Sequence, residues 1–290
     1  MILLGVLLAS LAATTVARGD AAYDSTADPW QDVISPDRPG AANPTSVVRP
    51  GAFQLETCFE TSISRRTGAA SVSTLDLPTL LRLGVARRLE LRIESNALTR
   101  QEAEGSGSPV SGFADVSVEA KGLVHQGQGG LVPSLALLPA VSLPVGADAF
   151  SSGKAQVTVS ALCDWPLRSG PTLSLNLNMA RIVDDTGTQY AWQTGSEAGV
   201  GVPLGRAWAI SGDVFVTDPF AASTTPSWSA DAGLEFYPDP DIQLDVTVVV
   251  PVSGPTKTTG VQVGFSRRWN PGPAQHPAAP GASPARTTSQ

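Results

Sequence analysis

The chain is poor in the residues that carry out most protein chemistry. Two histidines and two cysteines occur in 290 residues. His125 falls in a proposed turn and His276 near the C-terminus, so neither fits the serine–histidine pairing that a membrane-embedded acyl hydrolase places at a barrel's outer face. Gly153-Lys154 is followed by Ala155, where a phosphate-binding loop needs serine or threonine. Asp184-Asp185 and Pro238-Asp239-Pro240-Asp241 lack the alternate ligand spacing of a calcium loop and read as turn residues. No enzymatic activity, metal or cofactor is therefore expected. Charge is scarce too: 16% of residues are charged and the net charge is -7. Without a basic face to neutralise phosphates, nucleic acid is excluded as a partner.

Long apolar runs are also missing. No stretch approaches the roughly 18 uninterrupted apolar residues of a spanning helix. The apolar run over residues 2–16 is too short to span, and Thr15-Val16-Ala17 offers a cleavage site, so residues 1–17 read as a signal peptide. Export would normally invite a disulfide. Here Cys58 alternates with the polar set of its strand and Cys163 with Val157, Val159 and Ala161, so the two thiols are expected on opposite faces and unpaired.

What is plentiful is alternation. Phe53-Gln54-Leu55-Glu56, Leu89-Glu90-Leu91-Arg92-Ile93-Glu94, Leu173-Ser174-Leu175-Asn176-Leu177-Asn178 and Ile242-Gln243-Leu244-Asp245-Val246 each place apolar groups on one face of a strand and polar groups on the other. Twelve such segments are predicted, near residues 52–61, 73–84, 88–98, 113–124, 132–143, 154–165, 171–182, 188–201, 206–217, 227–237, 241–250 and 259–269. The spacers between them alternate long and short, the pattern of extracellular loops and periplasmic turns. Abundant glycine and proline, 28 and 24 residues, suit the turns.

The fold expected is all-β: a single antiparallel, up-and-down transmembrane β-barrel of about 12 strands over residues 51–269. Residues 18–50 form a periplasmic lead-in and residues 270–290 a disordered Pro/Ala-rich tail. Closure of the sheet leaves no backbone group unpaired in lipid. Leu83, Leu91, Ile93, Leu137, Leu177 and Val248 fall on the lipid-facing parity, with Trp165, Trp208, Trp228, Phe236 and Trp269 at strand ends as interfacial girdles. The opposite parity supplies the lumen-facing candidates. Glu56, Arg82, Glu90 and Arg92 come from the first three strands, with Glu94 beyond them and Asp115, Glu119 and Lys121 on the fourth. Such charges need water or partners, and a tight turn near residue 86 brings Arg82 opposite Glu90 or Arg92. The mixed signs suit either a hydrated channel or a packed ion-pair plug.

These residues resemble a family of outer-membrane transporters named for the meta-cleavage pathway of phenol degradation. The matching pieces are Asp37-Arg38-Pro39-Gly40, Pro50-Gly51-Ala52-Phe53-Gln54-Leu55-Glu56 and Leu77-Pro78-Thr79-Leu80-Leu81-Arg82-Leu83-Gly84. Gly112-Phe113-Ala114-Asp115 and Ser142-Leu143-Pro144-Val145-Gly146 also match. The likeness is most distinct over residues 37–146. It implies an outer-membrane transporter associated with aromatic catabolism. The expected function is thus a channel or passive transporter for small solutes, such as aromatic compounds, in the bacterial outer membrane. Its expected partners are outer-membrane lipid, lipopolysaccharide, the barrel-assembly machinery and the solute. Two alternatives stay open: a structural or adhesin-like barrel with a closed lumen, and a soluble periplasmic β-sandwich that binds a ligand.

Overall fold

A computed structural model of the chain describes residues 32–183, 187–219 and 225–270. The expected signal peptide, residues 18–31 of the expected lead-in, the expected tail beyond residue 270 and the Asp184-Asp185 pair lie outside these. Alternation becomes strand wherever it was read. The strands are β1 (Phe53–Arg66), β2 (Val72–Ala86), β3 (Leu89–Ala103), β4 (Val110–Gly112), β5 (Val116–His125), β6 (Ser134–Leu143) and β7 (Gln156–Pro166). They continue with β8 (Thr172–Val183), β9 (Tyr190–Pro203), β10 (Trp208–Pro219), β11 (Ser227–Asp239), β12 (Ile242–Ser253) and β13 (Thr256–Trp269).

Each long strand pairs antiparallel with its neighbours in the sequence, and β1 pairs β13 from Phe53↔Trp269 to Arg66↔Thr256. The ring is therefore closed, with twelve staves and no free edge. β4 is a short outer continuation of the β5 stave, paired to β3 over Thr99–Gln101. Between them, around Asp115, the wall is carried by Ala114 N–H donating to Asn96 O and by Ser95 Oγ donating to Ala114 O.

Most outer strand ends run further than the alternation indicates. β1, β2 and β3 contain 14, 15 and 15 residues, whereas roughly 9–11 suffice to cross a bilayer. Beyond the membrane both faces meet water, so Ser62, Ser64, Arg65 and Arg66 show no apolar period although they pair fully. The connection expected over residues 251–258 shrinks to Gly254-Pro255, with Gly254 at φ 106°, a conformation glycine adopts without strain.

The two faces separate cleanly. Leu83, Leu91, Ile93, Leu137, Leu177 and Val248 point outward and are exposed, while Gln54, Glu56, Arg82, Glu90, Lys121 and Asn176 alternate with them and are buried. Aromatics collect at the ends of the staves: Phe53 packs on Trp269 with centroids 5.6 Å apart, and Trp208 on Phe236 at 4.5 Å. Cys58 is buried and Cys163 half-buried, and both are free thiols. Placing a charge on the outer face should be costly: Leu177→Arg, near the middle of β8, is expected to destabilise the barrel by about 2–4 kcal/mol. Urea unfolding in lipid vesicles measures it, and an unchanged midpoint would mean that this face does not meet lipid.

The interior holds, among the described residues, a small apolar cluster of Ala136, Leu138 and Leu162. What fills it is residues 32–50 of the lead-in, and for these residues the expectation of a segment lying in the periplasm is corrected. Residues 32–50 enter at the rim where Ile34 N–H donates to Pro240 O, cross the lumen, and return where Gly51 N–H donates to Gly84 O. The physical reason is that the lumen wall carries carboxylates and guanidinium groups, which require partners that bulk water cannot fully supply in a narrow interior.

Candidate functional site

The register of β2, β3 and β5 sets the site. Arg82 stands directly opposite Arg92, Arg92 opposite Glu119, and Glu90 opposite Lys121. Two arginines facing each other across a ladder repel, and the lead-in supplies the counter-charge. Asp37 enters between them: its Oδ1 lies 3.1 Å from Arg82 Nη1 and 2.9 Å from Lys121 Nζ, and its Oδ2 pairs with Arg92 Nη1. Burial alone would push the Asp37 carboxyl up, but Arg92, Lys121 and Arg82 outweigh it and hold it well below the usual carboxylate range.

Arg82 is the hub. It donates through Nε and Nη2 to Glu90 at 2.9 and 3.0 Å and through Nη1 to Glu56 at 2.9 Å. It also donates to the backbone carbonyls of Ser35 and Ser46 at 3.0 and 3.2 Å. Lys121 caps Pro44 O at 3.1 Å, and Arg92 Nε lies 2.8 Å from Glu119. Bidentate guanidinium–carboxylate geometry of this kind is directional as well as strong.

Carboxylates on the wall in turn accept from the lead-in's backbone. Val48 N–H donates to Glu90 at 2.6 Å, Asp37 N–H to Glu56 at 2.8 Å, and Thr45 N–H and Oγ1 to Asp164 at 2.6 and 2.7 Å. On the far wall Arg38 reaches Asp245 at 3.2 Å and Gln262 at 3.0 Å. At the rim Arg268 holds Asp32 and Asp241.

Of the residues singled out in the sequence, Glu56, Arg82, Glu90, Arg92, Glu119 and Lys121 are thus brought together around Asp37. Glu94 borders the same group, its carboxyl beside that of Glu119 and its side chain facing an interior cavity. Asp115 lies outside the group: it precedes β5 and accepts from Gly146 N–H, Ser152 N–H and Ser152 Oγ at 3.0, 2.9 and 2.8 Å, pinning the 144–155 connection. Sequence reasoning missed Asp37, Arg38 and Thr45. The available signal was the Arg82–Arg92 opposition, which demands an acid from elsewhere.

Among the described residues, two cavities flank the inserted segment. One of about 470 Å³ lies toward the periplasmic ends of β6–β12 and includes Asp164, Ser174, Asp213 and Tyr237. The other, about 400 Å³, is bounded by Asp37, Arg38, Arg92 and Glu94, with Leu80 and Leu138 on its wall. Asp37, Arg38 and Gly40 border both, so the segment is the partition between them.

A closed, even-staved antiparallel ring with a greasy outside, aromatic ends and a charged interior defines a β-barrel of the bacterial outer membrane, and this protein is one. The chain belongs to the family described as "Putative MetA-pathway of phenol degradation", whose model matches residues 36–269. The resemblance read over residues 37–146 therefore extends through the last strand. No curated protein matches the chain in sequence. Among solved structures it is similar to an outer-membrane channel from Pseudomonas putida F1, at 12% identity and a TM-score of 0.61 over 80% of this chain and 99% of that one. It is also similar to the translocator domain of the autotransporter NalP from Neisseria meningitidis (10% identity, TM-score 0.52, 92% and 95% covered) and to the NanC porin (10%, 0.50, 72% and 98%).

Proposed function

We propose that the protein is a passive outer-membrane channel for small aromatic solutes, closed at rest by its own N-terminal segment. The observation that carries this reading is the pair of interior cavities, about 470 and 400 Å³, separated by a segment that is not part of the wall. Cavities of several hundred Å³ accommodate single-ring molecules, and a structural barrel has no need of two. The family's description points to phenol degradation, and the outer cavity combines an apolar side at Leu80 and Leu138 with a charged side at Arg92 and Glu94. The lumen-facing charges act here as fastenings for the segment and, once it moves, as the surface a solute passes.

The buried ion pairs favour a second reading, a permanently closed structural barrel. Deletion of residues 32–46 separates the two. In planar bilayers the intact barrel is expected to conduct weakly and the deletion variant several-fold more, with uptake of phenol into proteoliposomes rising in parallel. A deletion variant that keeps the faster migration of the unboiled barrel yet neither conducts nor takes up phenol would establish the structural reading instead.

A further inference from the structure

Asp37 is held by three cations that belong to the wall. Lys121, Arg82 and Arg92 are 0%, 1% and 3% exposed, and all converge on one carboxylate that belongs to a removable segment. Within the wall Arg82 also pairs with Glu56 and Glu90 and Arg92 with Glu119, while Lys121 has Glu90 only at 3.9 Å. Withdrawing Asp37 leaves three sets of oriented donors aimed at a vacated point, an arrangement that costs free energy unless another anion takes it. Exchange of one carboxylate for another leaves the charge of the cluster unchanged.

The Asp37–Arg92 contact is also suited to exchange. Arg92 Nε and Nη1 and Asp37 Oδ2 are buried at ion-pair distance without a well-aligned hydrogen bond, so that side of Asp37 is held by charge more than by directed bonding. It is the side facing the cavity of about 400 Å³, where Arg92 and Asp37 lie on the same lining as Leu80, Leu138 and Ala140. The same lining carries Glu56, Glu60, Glu94 and Glu119, so an anion is accepted only where the Asp37 carboxylate now sits: a molecule with an apolar ring and a single carboxylate fits with its ring against the leucines and its carboxylate in that place against the Arg92 guanidinium group.

We propose that the site between Arg82, Arg92 and Lys121 binds small aromatic monocarboxylates, whose carboxylate displaces Asp37 and thereby releases the N-terminal segment from the lumen. The proposal rests on the channel reading and names its solute class. A neutral phenol or hydrocarbon occupies the apolar wall without replacing the anion, so it does not release the segment.

The test uses the full-length barrel in planar bilayers with benzoate, benzyl alcohol and acetate as probes. Benzoate should raise the conductance several-fold, benzyl alcohol should leave it unchanged, and acetate, a carboxylate without a ring, should act only at much higher concentration. Asp37→Asn removes the charge while keeping the shape. It should conduct without benzoate and lose the benzoate response, with the faster unboiled migration intact. If that variant fails to assemble, calorimetric titration of the wild type with benzoate serves instead, and binding that vanishes in Arg92→Gln supports the proposal. Equal effects of benzoate and benzyl alcohol, or a benzoate response preserved in Asp37→Asn, would overturn it. Failure of this kind is distinguishable from failure of the channel reading: Gly84→Val, which displaces the segment sterically, conducts if only the carboxylate proposal is wrong, whereas a variant whose segment is cut by protease and that still stays silent shows that the channel reading is wrong.

Discussion

Arg82→Ala should destabilise the barrel by about 3–5 kcal/mol, the cost of leaving buried charges without their partner. The side chain is 1% exposed and neutralises Glu56 and Glu90 directly at 2.9 Å each. Its loss strands both carboxylates and frees the Ser35 and Ser46 carbonyls that tie the lead-in to β2. Arg82→Lys keeps the charge but not the fork that serves two carboxylates at once, so an intermediate loss is expected. Arg82→Gln combined with Glu90→Gln should cost less than Arg82→Ala alone, because the cation and one stranded carboxylate disappear together. Arg65→Ala, exposed at the outer end of β1, should stay within about 0.5 kcal/mol of wild type. Urea titrations in vesicles give all four values. An Arg82→Ala barrel of wild-type stability but altered ion selectivity would show that Arg82 lines a hydrated pore and not a packed cluster.

Much of this was legible because one physical rule, alternation against lipid, governs most of the chain. Leu173 to Asn178 could be assigned face by face, and the tightness of the turn between β2 and β3 brought Arg82 to Glu90 or Arg92, of which the register chooses Arg92. The rule fails where lipid is absent. Past the membrane edge Thr99, Arg100 and Gln101 still pair with β2, yet water on both sides removes the period, and the strand ends were placed too early. It fails also inside the barrel. Residues 32–50 have no period because they belong to no sheet, and they are held by single backbone amides on carboxylates such as Glu90 and Asp164, 42 and 119 residues away. A segment anchored through such distant contacts looks like a linker until the partners are seen. Of the candidate site, the wall charges could be read from parity, whereas the acid they surround could not.

Gly84→Val should open the lumen without touching a charge. Gly84 N–H donates to Ala52 O and its carbonyl accepts from Gly51 N–H, so the lead-in turns back toward β1 directly against this residue. A side chain here would collide with the Arg49 carbonyl and come within 2.5 Å of Val48 O, both backbone atoms that cannot swing aside as a side-chain tip would. The clash is relieved only by moving the lead-in, which removes Val48 N–H from Glu90 and draws on the contacts around Asp37. Forced overpacking of this sort typically costs about 1–3 kcal/mol, comparable to a few of the amide–carboxylate bonds that hold the segment. Displacement is therefore the expected relief, and the barrel, whose closure runs through β1 and β13, should persist. The variant should keep its faster unboiled migration and show conductance approaching that of the residue 32–46 deletion. Protease added from the periplasmic side of oriented proteoliposomes should cut near residues 36–46 in Gly84→Val and spare them in wild type. A variant that conducts no more than wild type and whose lead-in stays protected would show that the segment is not displaceable at this point.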